Sequence, residues 1–201
     1  MTETDGPAGL IVHLNGWPGA GKKTVGLALA ERLGARLIHN HLLHDVAIVV
    51  TGFDDPERWP LYETIRSAAY AALVRRPAGE TFVMTNALRT NSNRGTAAWR
   101  DVVGLAIDRQ VPLVPVVLEV EEGENVRRLG SADRQGTKLT DAEKLRDYRH
   151  TSELQYPDVP ELLVLDTTTL APREAAERIA AHVANCRPSL MPADARHLRL
   201  R

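Results

Sequence analysis

Residues 16–24 read Gly-Trp-Pro-Gly-Ala-Gly-Lys-Lys-Thr, and the segments on either side decide what the chain can fold into. Before them, Leu10 to Asn15 is a short apolar run ending at a glycine, which reads as a buried strand. After them, Lys22 to Leu33 places apolar residues at Val25, Leu27, Leu29 and Leu33 and meets Gly34 at a stop position, which reads as a helix. Glycines between a strand and a helix let backbone N–H groups turn inward and approach an anion closely. The helix N-terminus adds roughly half a positive charge to that spot. The stretch nearly fits the phosphate-binding pattern G-x-x-x-x-G-K-[ST], with Gly16, Gly21 and Lys22 in place. A nucleotide's phosphates are therefore expected on Gly16, Pro18, Gly19, Ala20, Gly21, Lys22, Lys23 and Thr24.

Two departures from the pattern bear on the metal. Lys23 stands where a hydroxyl would meet Mg²⁺, and Thr24 follows one residue late, about 100° further around the helix. A lysine cannot ligate a cation, so Thr24 is read as a phosphate contact. Either phosphates, water and another protein group hold the metal, or the loop binds nucleotide without efficient turnover. The third strand ends Met84-Thr85-Asn86, without the carboxylate that large motor ATPases and GTPases use there.

The rest of the chain alternates strand and helix patterns. Strands are expected at Ala35–Asn40, Thr81–Thr85, Val111–Val120 (starting around Pro112) and Leu162–Leu165. Helices are expected at Leu42–Val50, Glu57–Arg76, Thr96–Arg109, Ala142–Arg149 and Arg173–Cys186. That alternation implies a parallel sheet with helices on both faces. Residues 1–201 read as one α/β domain, with a charged, glycine-broken segment at 121–141 and a tail at 187–201. A net charge of −1 and 4% aromatic residues leave no electrostatic or stacking footprint for nucleic acid. No apolar run reaches the roughly 20 residues a bilayer needs. The lone Cys186 excludes an internal disulfide, and the acidic start is unlike a secretory signal, so a cytoplasmic location is expected.

Three stretches carry a resemblance. They are GWPGAGKKTVGLALAERLGARL; Ile38-His39-Asn40-His41-Leu42-Leu43-His44-Asp45; and Arg134-Gln135-Gly136-Thr137-Lys138-Leu139-Thr140-Asp141. Together they make the chain similar to small P-loop kinases of the shikimate kinase, nucleotide kinase and chloramphenicol phosphotransferase group. It resembles most the bacterial shikimate-kinase-like proteins of uncertain substrate, often labelled AAA-family ATPases. The resemblance implies a three-layer P-loop NTPase fold with a five-stranded parallel sheet in the order 2-3-1-4-5. It also implies ATP with Mg²⁺, a small-molecule acceptor and a lid over residues 127–141.

Site roles follow from that resemblance. Asn40, His41, His44 and Asp45 lie where such enzymes hold the acceptor hydroxyl, beyond the carboxyl ends of the strands. Asp45 is the candidate general base, with His41 second, since a helical turn brings the two to one side. Three histidines in six residues offer metal donors, but spacings of two and three without a third ligand nearby argue against a site. Arg66 matches a position for substrate anions, and Arg89 competes for that role from the polar loop 88–94. Arg127, Arg128, Arg134 and Lys138 form the lid's basic group. Arg134 and Lys138 are expected to close positive charge over the transferring phosphoryl group, and Arg128 is expected to contact the nucleotide. The loop Asp166–Thr169 is expected to touch adenine through its main chain. The competing expectation is a nucleotide-dependent ligand-binding or antibiotic-resistance protein that transfers no phosphate. A nucleic-acid 5′-hydroxyl kinase fits poorly with the charge and aromatic content.

Overall fold

Strand β1 (Ile11–Gly16) lies at the centre of the molecule because every one of its residues is buried. Val12 and Leu14 point to one face and Ile11 and His13 to the other, the two-residue alternation of a pleated strand. In the computed structural model, which describes residues 9–130, 139–186 and Leu190, five strands line up in parallel as β2-β3-β1-β4-β5. The others are β2 (Arg36–His39), β3 (Phe82–Thr85), β4 (Leu113–Glu119) and β5 (Leu163–Asp166). Helices α1 (Lys22–Leu33) and α7 (Pro172–Cys186) cover one face, where Val12, Leu14, Leu29 and Ile179 share a core. Helices α3 (Arg58–Val74) and α4 (Asn93–Arg109) supply the other, where Ile11, Phe82, Tyr70 and Trp99 pack together. The remaining helices are α2 (His41–Thr51), α5 (Glu122–Leu129) and α6 (Ala142–Thr151). The expected three-layer α/β fold and strand order are those observed.

Most expected elements recur within a few residues of their sequence bounds. Leu27, one of the apolar residues that mark α1 in the sequence, is 54% exposed, and Ala30 packs inward beside Leu29. The larger difference is α5, which forms inside the segment read as glycine-broken. Glu121 caps it by accepting from the Glu124 amide at 3.0 Å, and Gly130 ends it. Gly123 falls in the first turn, next to the cap that initiates the helix. Residues 127–129 of the expected lid therefore belong to this helix, and Asp141 caps α6 by accepting from the amides of Glu143 and Lys144. Residues 131–138 lie outside the described residues, as does the tail from 187 apart from Leu190, which bridges to Pro112. No helix of the described residues is long and apolar enough to cross a membrane.

Candidate functional site

Every strand is parallel, so all strand ends emerge on one side of the sheet, and the glycine turn after β1 sits at the middle of that side. Gly19 and Gly21 take φ of 91° and 84°, left-handed values that glycine adopts without steric cost. The turn delivers the chain into α1 with Gly21 as N-cap and no side-chain cap, so the amides of the first turn remain available to an anion. Lys22 folds inward, its Nζ donating to the carbonyls of Gly16 at 2.7 Å and Trp17 at 2.8 Å. Lys23 and Thr24 are exposed on the outer side of the same turn.

A second layer holds the loop from outside. Asn125 of α5 is fully buried and donates through Nδ2 to the Pro18 carbonyl at 2.8 Å. Its Oδ1 accepts from Arg149 of α6 at 3.1 Å, and the Arg149 guanidinium lies 5.5 Å over the Trp17 ring. A Cβ on Gly19 would come within 2.6 Å of Asn125 Nδ2, so the close approach needs glycine there. Beside Trp17 opens a polar cleft of about 410 Å³, lined among others by Glu119, Arg149, Tyr156 and Asp166.

Beyond β3, Asn86 occupies the place of the missing carboxylate. Its Oδ1 accepts from His13 Nε2 at 3.0 Å, and its Nδ2 donates to Asn40 Oδ1 at 3.3 Å. The same Asn40 oxygen accepts from the Tyr62 hydroxyl at 2.5 Å. Burial, opposed by the bond to Asn86 and reinforced by the charge of Lys22, holds His13 down to about 4. It is therefore neutral at physiological pH. The chain from His13 through Asn86 and Asn40 to Tyr62 thus links β1 to the end of β2 and to α3 without a charge.

On the first turns of α2, His41 Nδ1 and Asp45 Oδ1 are 3.0 Å apart. An ionised carboxylate only accepts, so the His41 nitrogen donates. His44, one turn along the same side of α2, packs at 5.2 Å from both Trp59 and Tyr62. Burial first, then the nearby charges of Arg58 and His41, push His44 down to about 4, against the pull of Asp45.

The candidate arginines divide by partner. Arg66 is buried, with Nη2 2.6 Å from Asp101 and its guanidinium over the Tyr62 ring at 5.2 Å. It braces α3 against α4 and reaches the polar chain through Tyr62. Arg89 lies 3.9 Å over the Tyr148 ring and donates to Ser152 Oγ at 3.4 Å, joining the loop after β3 to α6. Arg128 donates to the carbonyls of Thr167 at 2.8 Å and Thr168 at 3.0 Å, so it fixes the loop after β5. Arg127 pairs on the surface with Glu124. Arg134 and Lys138 lie outside the described residues.

No family model matches the sequence, and no curated protein matches it either. Solved structures do match along nearly the whole chain. A candidate kinase from Chloroflexus aurantiacus superposes with a TM-score of 0.64 at 20% identity, over 89% of this chain and 98% of that one. The APS kinase CysC of Mycobacterium tuberculosis, in complex with AMPPNP and APS, gives 0.58 at 18% identity, over 90% and 100%. The tunicamycin resistance protein of Deinococcus radiodurans gives 0.56 at 22% identity, over 92% and 99%. The chain has the P-loop kinase fold.

Within that fold, a triphosphate suits the loop: an uncapped helix N-terminus, inward amides and one inward ammonium converge there. The residues suit a directly bound Mg²⁺ less well, because Lys23 displaces the hydroxyl and Asn86 spends its carbonyl on His13. Sequence reasoning did not single out Asn125, Arg149, Tyr62 or His13, and it named Asn86 only as a strand end lacking a carboxylate. The one available signal was Asn125 lying four residues before Leu129, an inward stripe that becomes visible once α5 is recognised as a helix.

Proposed function

We propose that this protein is an ATP-dependent phosphotransferase that moves the γ-phosphoryl group of ATP to a hydroxyl or phosphate of a small molecule. The observation that carries this reading is the inward Lys22 ammonium beneath the uncapped start of α1. In that reading, Lys22 releases the two loop carbonyls and takes the outer phosphates, while the amides of residues 19–24 hold the rest. Lys23 adds charge from the outer side, Thr24 contributes a hydroxyl, and Arg128 sets the loop that receives the base. A Mg²⁺ ion accompanying the triphosphate would be held by phosphate oxygens and water rather than by Lys23 or Asn86, and would supply neutralisation of phosphate charge.

For a hydroxyl acceptor, the oxygen forms its bond to the γ-phosphorus as the bond to the bridging oxygen breaks, and ADP departs. The acceptor's proton passes to Asp45, whose carboxylate His41 orients by donating to it. Asn40 positions the acceptor through its side-chain amide nitrogen, its oxygen being held by Tyr62 and Asn86, and Arg66 and Arg89 are the cations on the acceptor side. Arg134 and Lys138 are assigned to the closing lid, where they exclude water and stabilise transferring charge.

A second reading has a specific observation behind it. Lys23 and Asn86 remove the two usual protein contacts to the metal, and a tunicamycin resistance protein is among the matching folds. A nucleotide-dependent ligand-binding protein without transfer would need neither contact.

One experiment separates them. Purified protein is incubated with ATP, Mg²⁺ and a metabolite panel, with ADP release and mass spectrometry as readouts. The kinase reading expects ADP formation that depends on one compound, which gains a phosphate, and loss of both in Lys22→Ala. If no compound gains a phosphate and Lys22→Ala binds ATP as the wild type does, the proposal is wrong. Ligand-stabilised melting without a phosphorylated product supports the second reading.

A further inference from the structure

We infer that His41, His44 and Asp45 form a site for a divalent transition-metal ion of the zinc class, distinct from the magnesium that accompanies a nucleotide. The inference stands apart from phosphoryl transfer and requires no nucleotide. Positions i, i+3 and i+4 of a helix share one side, and the donor atoms of these three residues all lie within 4.8 Å of one another. His41 Nδ1 and Asp45 Oδ1 are 3.0 Å apart, close enough for both to reach one ion about 2.1 Å from each, the ion taking the place of the proton that His41 Nδ1 otherwise shares with Asp45. The third ligand that the histidine spacing lacked is Asp45.

His44 gives the second, independent observation. Its ring is held between Trp59 and Tyr62, each at 5.2 Å, so its direction is set by packing before any ion arrives. Its Nε2 is a buried nitrogen with no hydrogen-bond partner among the described residues. Leaving such a group unmet is costly, and its presence calls for an explanation. An ion drawn to the ring supplies one. Two imidazoles and one carboxylate suit zinc, nickel or iron(II), whereas magnesium prefers an all-oxygen shell. Three ligands from a single helix leave the remaining coordination positions to water or a further ligand.

The test uses the nucleotide-free full chain titrated with Zn²⁺ against a chromophoric chelator. Wild type should take up one equivalent, with affinity unchanged by excess Mg²⁺ or by His150→Ala on the exposed end of α6. His41→Ala, His44→Ala and Asp45→Ala should each weaken it by at least about tenfold. Because variants can lose fold, imidazole ¹⁵N spectra of wild type supply a separate readout. One equivalent of Zn²⁺ should shift the signals of His41 and His44 and leave buried His13 in place. No uptake by wild type, uptake that persists in His44→Ala, or shifts at other histidines instead would each overturn the inference.

Discussion

His13 shows at the scale of one residue how the phosphate-loop strand trades stability for neutrality. The unfolded chain takes up this proton near the ordinary value of 6.5, and the folded chain only at about 4. The unfolded state thus binds the proton first as pH falls. Stability is whole above about 6.5 and drains away toward about 4, by about 3 kcal/mol in all. Urea midpoints of wild type and His13→Asn, compared at about pH 7 and about pH 4.5, should show the wild type losing distinctly more; parallel losses would remove His13 as the cause. His44, held down to about 4, and Glu124, held down to about 2 by its bonds to Arg127 and Arg128, are present in both proteins, so their contributions cancel in the comparison. At the acceptor segment, Asp45→Asn should lower turnover by about 10²–10⁴-fold while ATP affinity stays nearly constant. Equal losses in kcat and ATP affinity would strip Asp45 of the role of base. The sequence pointed to these residues unevenly, for physical reasons. Gly16, Gly21 and Lys22 were legible because phosphate binding demands rare residue types at fixed spacing. His41 and Asp45 were legible as an i, i+4 pair. Asn86 and Tyr62 were not, since an amide or a phenol becomes informative only when its hydrogen-bond partner is known.

Among the elements, α5 and α6 bear most directly on the phosphate loop. Asn125 satisfies the Pro18 carbonyl and receives Arg149, which in turn covers Trp17, so three separated segments share one buried amide. Asn125→Ala should cost about 1–3 kcal/mol, the range for orphaning buried partners, and should weaken ATP binding as the loop loosens. Gly19→Ala should also destabilise, because its Cβ would crowd Asn125 Nδ2 at 2.6 Å and alanine resists a φ of 91°. The crowding and the bond share one side chain, so the two costs should not add. In the Asn125→Ala background, Gly19→Ala should cost less than it does alone, measured as urea midpoints in a double-mutant cycle. Additive losses would show that only backbone strain matters at Gly19. The strands and the long helices were legible from period, since burial on both faces makes β4 a nearly continuous apolar run and β1 one broken by His13 and Asn15. Helix α5 was not legible: it is short and rich in charge, and it rests on a cap and two inward residues, Asn125 and Leu129. Its propensity is weak and its stability comes from packing against the loop, which no local pattern reports.

Across the whole molecule the parallel sheet has two unlike ends, with the candidate site at the carboxyl end and a buried arginine at the other. Arg109 closes α4 at the amino end, where it is 5% exposed. It donates to the carbonyls of Leu73 and Arg76, and through Nη2 to Pro77 at 2.9 Å and Glu80 at 3.1 Å. Its guanidinium lies 4.7 Å over the Phe82 ring. It thereby gathers the connection from α3 to β3, which must reverse direction without secondary structure of its own, by donating to four carbonyls along it. Burial lowers its pKa against the support of Glu80, but a guanidinium stays charged at any relevant pH. Arg109→Met keeps the length of the side chain and its contact with Phe82 while withdrawing every donor. The orphaned carbonyls should cost about 3 kcal/mol. For a chain of this size that is a fall in Tm of roughly 6–12 °C. Because the loop amides, Lys22 and Asn125 all lie at the opposite end of the sheet, ATP affinity measured well below the melting range should match the wild type. A variant that melts normally would show that water replaces the guanidinium at these carbonyls. One that melts early and also loses ATP binding would show that the two ends of the sheet do not act independently.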